Sequence, residues 1–199
     1  MINCLRHRGS GRASSIIWGM KLGAKELRLT KPSEADLAKI KRRPIWIILD
    51  NVMDTYNIGS IFRLADAVAA QEVLLCGGSE TPPASRIHKA AVGTEEWVQW
   101  QYMETAVLAI AKLKNQNSKI KIIAVEQDER AIPYNSPLHP SLNLREGTPI
   151  AIVVGHETEG VSKEVLDMAD VIVEIPMYGV NRSMNVVVAT GIVLYRILG

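Results

Sequence analysis

From Pro44 onward, short apolar runs rich in β-branched residues alternate with segments of helical spacing, and this alternation constrains the fold more than any other feature. Residues 45–49 (IWIIL) form a compact apolar run of the kind that both faces of a sheet bury. Residues 73–76, 97–103, 120–125, 150–154 and 171–175 read as further strands. Between them, Ile58, Ile61, Ala65 and Val68 share one helical face, with Asn57 placed to cap that helix. A second helix is expected over 104–115, with Val107, Leu108, Ala111 and Lys112 at helical spacing. Others are expected near 162–168 and 183–198. Residues 126–147, with Pro133, Pro137 and Pro140, read as irregular.

Strands without internal polar alternation, interleaved with helices, predict an α/β fold with a parallel sheet covered on both faces. In such sheets ligands bind beyond the carboxyl ends of the strands. The chain of 199 residues accommodates one such domain, expected over 45–199, preceded by an extension over 1–44.

Charge separates these two parts. Residues 1–44 carry a net charge of +8 and residues 45–199 a net of −6, which together make the overall +2. The extension reads either as a polyanion-binding arm or as a solvated leader. Its first 25 residues, acid-free and containing Arg6, Arg8 and Arg12, also overlap in composition with an organellar targeting peptide, and Met20 is an alternative start. No apolar run approaches the ~18 residues of a membrane span. Cys4 and Cys76 are too far apart in sequence for a paired metal motif, and so few cysteines suit a reducing, cytoplasmic compartment.

Several chemistries lose support. The chain has no GxxxxGK[ST] phosphate loop and no GxGxxG after the first strand, and neither HExxH nor paired CxxC motifs, so no metal site is expected. Three other clusters follow predicted strands. Asn57-Ile58-Gly59-Ser60-Ile61-Phe62-Arg63 combines a helix start with a guanidinium fork suited to phosphate, or is a helix N-terminus with a surface arginine. Gly155-His156-Glu157-Thr158-Glu159-Gly160 sets a carboxylate between paired glycines with exposed N–H groups, or is an ordinary turn into a helix capped by Ser162. Ile175-Pro176-Met177-Tyr178-Gly179, followed by Ser183-Met184-Asn185, offers apolar walls for an adenine plane plus two hydrogen-bonding side chains, or is a connection with Ser183 as cap.

In this order and spacing the clusters resemble the SpoU/TrmH family of RNA ribose methyltransferases, within the SPOUT superfamily. NIGSIFR is similar to the family's motif 1, GHETEG to motif 2 and IPMYGVNRSMNVVVA to motif 3, and residues 89–93 (KAAVG) fit a further family stretch. The resemblance covers residues 45–199 and implies a deep trefoil knot in the C-terminal third. It also implies S-adenosylmethionine as methyl donor, tRNA or rRNA as substrate, and a homodimer that buries the first and last helices. Each active site then takes the motif 1 arginine from the neighbouring subunit.

Carried onto this sequence, the resemblance makes Asn57, Arg63, Glu157, Ser183 and Asn185 the polar site residues. It places Val125, Glu126, Gln127, Gly155, His156, Glu157, Gly160, Ile175, Pro176, Met177, Ser183, Met184 and Asn185 around the cofactor. The expected reaction needs no metal, because a sulfonium already activates its methyl group. Arg63 is expected beside the RNA phosphate and 2′-hydroxyl. A guanidinium with a pKa above about 12 is a poor base, so its expected role is to orient the phosphate or water that takes the proton. Glu157 is expected to order the motif 2 turn. The rival readings are a SPOUT enzyme that methylates a base, and a non-catalytic RNA-binding or ribosome-assembly protein.

Overall fold

A computed structural model describes residues 23–27, 31–136 and 147–198. Arg6, Arg8, Arg12, Cys4, Met20, Pro137 and Pro140 lie outside the described residues. Two single-turn helices, α1 (Ala24–Leu27) and α2 (Glu34–Leu37), precede the sheet. The sheet then builds from β1 (Arg43–Asp50), β2 (Ala70–Cys76), β3 (Trp100–Met103), β4 (Lys121–Val125), β5 (Ile132–Pro133), β6 (Ile150–Gly155) and β7 (Val171–Glu174). Its helices are α3 (Thr55–Ala67), α4 (Ser85–Ala91), α5 (Ala106–Gln116), α6 (Lys163–Met168) and α7 (Val186–Leu198).

The seven strands lie in the order β3-β2-β1-β6-β4-β7-β5, and every pairing is parallel. The predicted parallel α/β sheet is therefore observed. Strand alternation sorts the core into two layers. Ile47, Leu49, Ile152 and Val154 meet Ile58, Ile61 and Phe62 of α3 and Val193 and Leu194 of α7. Ile48, Ile122, Ala124 and Val153 meet Ala109, Ile110 and Leu113 of α5 and Val165 and Leu166 of α6. Among the described residues no helix is long and apolar enough to cross a membrane.

Several local expectations change. Asn57 does not cap α3: the helix begins at Thr55, and the Asp54 carboxylate accepts the Tyr56 N–H at 2.7 Å. Asp54 satisfies that free donor earlier in the chain, which leaves the Asn57 side chain available for other partners. The buried stripe of α5 is Ala106, Ala109, Ile110 and Leu113, while Leu108 is exposed. Both stripes have helical spacing, and packing against the sheet selects the observed one. The third strand is confined to Trp100–Met103, because residues 97–98 are the turn and bend that follow a 3-10 turn at 94–96. Ile132–Pro133 adds a two-residue edge strand within the stretch expected to be irregular. Helix α4 was not anticipated. Helix α7 begins at Val186, not Ser183, since Asn185 accepts the Val187 N–H at 2.9 Å and serves as its cap.

Candidate active site

Strand register brings the loop-bearing strand ends together. Asp50, the last residue of β1, pairs with Gly155, the last of β6, while Ala124 pairs with Val153 and Val125 with Val173. Chain order reverses around β1 and β6, which is where a parallel sheet opens a crevice. The segments that begin at residues 51, 126, 156 and 175 thus leave the same edge.

Within that edge a chain of hydrogen bonds joins all three clusters. Asn185 Nδ2 donates to Asn57 Oδ1 at 3.0 Å. Asn57 Nδ2 donates to Glu157 Oε1 at 2.9 Å. The Glu157 carboxylate also accepts the Asp54 N–H at 3.0 Å and the Met53 N–H at 3.1 Å, just before α3. A carboxylate at this helix N-terminus also meets the positive end of the helix dipole. Partial burial by itself would push the Glu157 carboxyl up. The donors from Asn57, Met53 and Asp54 outweigh it and hold the carboxyl below its ordinary value.

The motif 2 turn is built by close backbone approach. His156 and Gly160 exchange both backbone hydrogen bonds, at 3.0 and 2.9 Å. The His156 Nδ1 accepts the N–H groups of Thr158 and Glu159, so this nitrogen is occupied within its own loop. A side chain at Gly155 would collide with the Gly160 carbonyl. Gly160 has φ +73, and a Cβ there would collide with Glu126 Oε2. Glu126 spends its carboxylate on the Val161 and Gln127 N–H groups, both at 2.8 Å, and so ties the end of β4 to the turn. The Gln127 side chain donates to the Arg182 carbonyl, which links β4 to the segment before α7.

Ile175, Pro176, Met177 and Met184 are half-buried. Ser183 stays exposed; its N–H and hydroxyl both donate to Asn181 Oδ1, so it does not join the Asn185–Asn57–Glu157 chain. Arg63 is exposed and makes no hydrogen bond or ion pair among the described residues. Six helical residues after Asn57, it projects about 120° away around α3 and about 9 Å along it.

One position was missed by sequence reasoning. Buried Asp50 accepts from the Ser162 N–H at 2.9 Å and the Ser162 hydroxyl at 2.6 Å, which locks β1 to the start of α6. An acidic residue closing an otherwise apolar strand was the available signal. Beside it, burial and the Asp50 charge push the free Cys76 thiol up to about 12, so this thiol is not a ready nucleophile. A cleft of about 460 Å³ runs along the outer side of the motif 2 turn, past Asp50, His156, Ser162 and Lys163. Arg130 in its wall holds the Asp128 carboxyl down to about 2. None of residues 175–185 reaches this cleft, so it is a neighbour of the three-cluster junction and not the junction itself.

This arrangement has known counterparts. A family model described as "SpoU rRNA Methylase family" matches residues 44–195. A curated tRNA (guanosine(18)-2'-O)-methyltransferase of Aquifex aeolicus is 31% identical over 78% of this chain and 69% of its own length. A 23S rRNA (guanosine-2'-O-)-methyltransferase, RlmB, of Haemophilus influenzae is 32% identical over 88% of this chain and 67% of its own. The chain thus spans about two thirds of the length of these curated relatives. The crystal structure of the A. aeolicus TrmH/SpoU tRNA modifying enzyme superposes with a TM-score of 0.68, at 28% identity, covering 87% of this chain and 80% of that one. The seven-stranded parallel sheet, the meeting of the three clusters at one strand edge and the family match over most of the chain lead to one assignment: this chain belongs to the SpoU methylase family.

Proposed function

We propose that this chain transfers the methyl group of S-adenosylmethionine to a ribose 2′-hydroxyl of tRNA or rRNA, acting as a homodimer. The observation that carries this reading is the continuous hydrogen-bond chain Asn185–Asn57–Glu157, which makes three loops distant in sequence into one rigid polar junction. The residues 175–185 segment would complete a trefoil knot around the bend of the cofactor. Residues 45–199 form the methyltransferase domain, and residues 1–44 an RNA-binding extension. The two cysteines of the chain accord with a reducing, cytoplasmic setting.

The junction suits a nucleoside donor. Strand-end N–H and carbonyl groups offer hydrogen bonds, and Ile175, Pro176, Met177 and Met184 provide an apolar face for a purine. When bound, S-adenosylmethionine supplies a methyl group on a positively charged sulfur, ready for displacement by an oxygen. The protein's contribution is placement and proton handling. Asn185 and Asn57 hold the floor of the site, Glu157 keeps the motif 2 turn seated on α3, and Ser183, free of the junction, is available to substrate. Arg63 faces away from its own junction, so it serves the site of the partner. There its planar fork orients an RNA phosphate and the attacking hydroxyl. Exposed Met53, Tyr56, Val188 and Tyr195, on or beside α3 and α7, give the apolar patch for that dimer.

The deciding experiment incubates the protein with S-adenosylmethionine and unmodified tRNA or rRNA, then digests the RNA for mass spectrometry. A methyl on ribose supports the proposal. A methyl on a base makes it a base methyltransferase. No transfer and no cofactor binding in calorimetry leaves an RNA-binding protein on a methyltransferase scaffold.

A further inference from the structure

Away from the methyl-transfer junction, α4 ends in two consecutive left-handed residues, Val92 (φ 57) and Gly93 (φ 89). They turn the chain so that the 3-10 turn Thr94–Glu96 faces back toward the last turn of α4. A hydrogen bond of 2.9 Å from Thr94 Oγ1 to the Ala91 carbonyl closes the bend. Three ligating side chains converge there. The His88 nitrogen and one oxygen each from Glu95 and Glu96 lie within 4.8 Å of one another. Glu95 is only 7% exposed. Its Oε1 sits 2.5 Å from His88 Nδ1, while its Oε2 is buried without a hydrogen-bond partner among the described residues. The exposed Lys31 ammonium pairs with Glu96 Oε2.

A buried carboxylate oxygen that meets no donor is a rare and costly feature, and it asks for a ligand. We propose that His88, Glu95 and Glu96 form a site for a divalent cation of the zinc class. One imidazole and two carboxylates match the donor preferences of zinc and its neighbours better than those of calcium or magnesium, which take all-oxygen shells. Zinc donors sit about 2.0–2.2 Å from the metal, so ligand atoms approach to roughly 3–3.6 Å of each other. Rotation of the exposed His88 and Glu96 side chains opens the 2.5 Å His88–Glu95 contact to this spacing and brings Glu96 in, whereas Glu95 is held in place. Lys31 gives way readily, since an exposed ion pair holds its partner weakly. The three residues match no metal motif, which is why the sequence conceals the site: the left-handed bend brings them together. The cation acts as a brace. It joins α4 to the turn beyond it, and α4 packs so closely on α3 that a Cβ at Gly59 would collide with the Ile87 carbonyl and Ala90.

The test uses the untagged full chain after treatment with EDTA. Cobalt(II) is titrated while its visible absorption is followed, then displaced by zinc. One saturable equivalent is expected, with a Kd on the order of micromolar or tighter, and zinc raises Tm. His88→Ala and Glu95→Gln each weaken binding by about tenfold or more, and Lys31→Ala strengthens it. His88 is exposed, so its variant keeps the fold even if Glu95→Gln does not, and circular dichroism verifies this. Absence of saturable binding up to about 1 mM, or binding of unchanged affinity in His88→Ala, overturns the site.

Discussion

Asn185 donates to Asn57 at 3.0 Å across 128 residues of chain, and with its other amide atom caps α7 by accepting the Val187 N–H. One side chain therefore both starts the last helix and docks its N-terminus on the first turn of α3. Asn57 in turn donates to Glu157. Each amide in this relay uses its donor and its acceptor at the same time, which a carboxylate, having no donor, does not do.

Asn57→Ala removes the middle of that relay. The Glu157 oxygen loses its donor and Asn185 loses its acceptor. We expect a loss of about 1–3 kcal/mol in stability by urea denaturation. A larger effect is expected on methyl transfer, at least about tenfold in single-turnover rate. Asn57→Asp retains the acceptor for Asn185 but turns the donor to Glu157 into a second negative charge, so it should be worse than alanine at neutral pH.

Glu157 introduces a pH dependence with a defined sign. Its folded-state carboxyl lies below the ordinary value near 4.5, because three donors outweigh partial burial. The stability it contributes is therefore present above pH 4.5 and lost as pH falls through the lower folded value. In Glu157→Gln this component is absent. The stability difference between wild type and variant should be constant near neutrality and shrink below pH 4.5, as measured by denaturation at successive pH values.

Arg63 gives the sharpest contrast between fold and activity. Exposed and unpaired among the described residues, it should be replaceable by alanine with a stability change within about 0.5 kcal/mol. Transfer should fall by about 10² or more, and Arg63→Lys should recover little of it, since the ammonium lacks the planar fork. Heterodimers of Arg63→Ala with Glu157→Ala test the shared site. One of their two sites has both residues intact, so mixing and refolding the two inactive variants should restore transfer. Continued inactivity of the verified heterodimer would place Arg63 in its own subunit's site.

Gly160→Ala tests the backbone of the turn. The substitution demands a left-handed φ of +73 from alanine and drives a methyl group into the Glu126 carboxylate. We expect a loss of about 1–3 kcal/mol and weakened binding of S-adenosylmethionine in calorimetry. Paired with Glu126→Ala, the collision is relieved while the φ strain remains, so the double variant should bind cofactor better than Gly160→Ala alone.

Local patterns in the sequence determined six of the seven strands, the parallel α/β class and the position of all three clusters at strand ends. Apolar runs, helical spacing and turn residues act within a few positions of one another, so a single chain read in order carries them. Tertiary structure decided the partners. Asn57 reads locally as a cap, and only the presence of Asp54 at the true start of α3, with Glu157 and Asn185 packed nearby, gives it a different task. The phase of α5 follows the same logic, since two stripes satisfy helical spacing and contact with the sheet selects one. Glu126 and His156 carry polar side chains suited to a ligand, yet their acceptors are turned onto neighbouring backbone N–H groups. These choices depend on strand order, which sets which loop ends share an edge, and no window of local sequence contains that information.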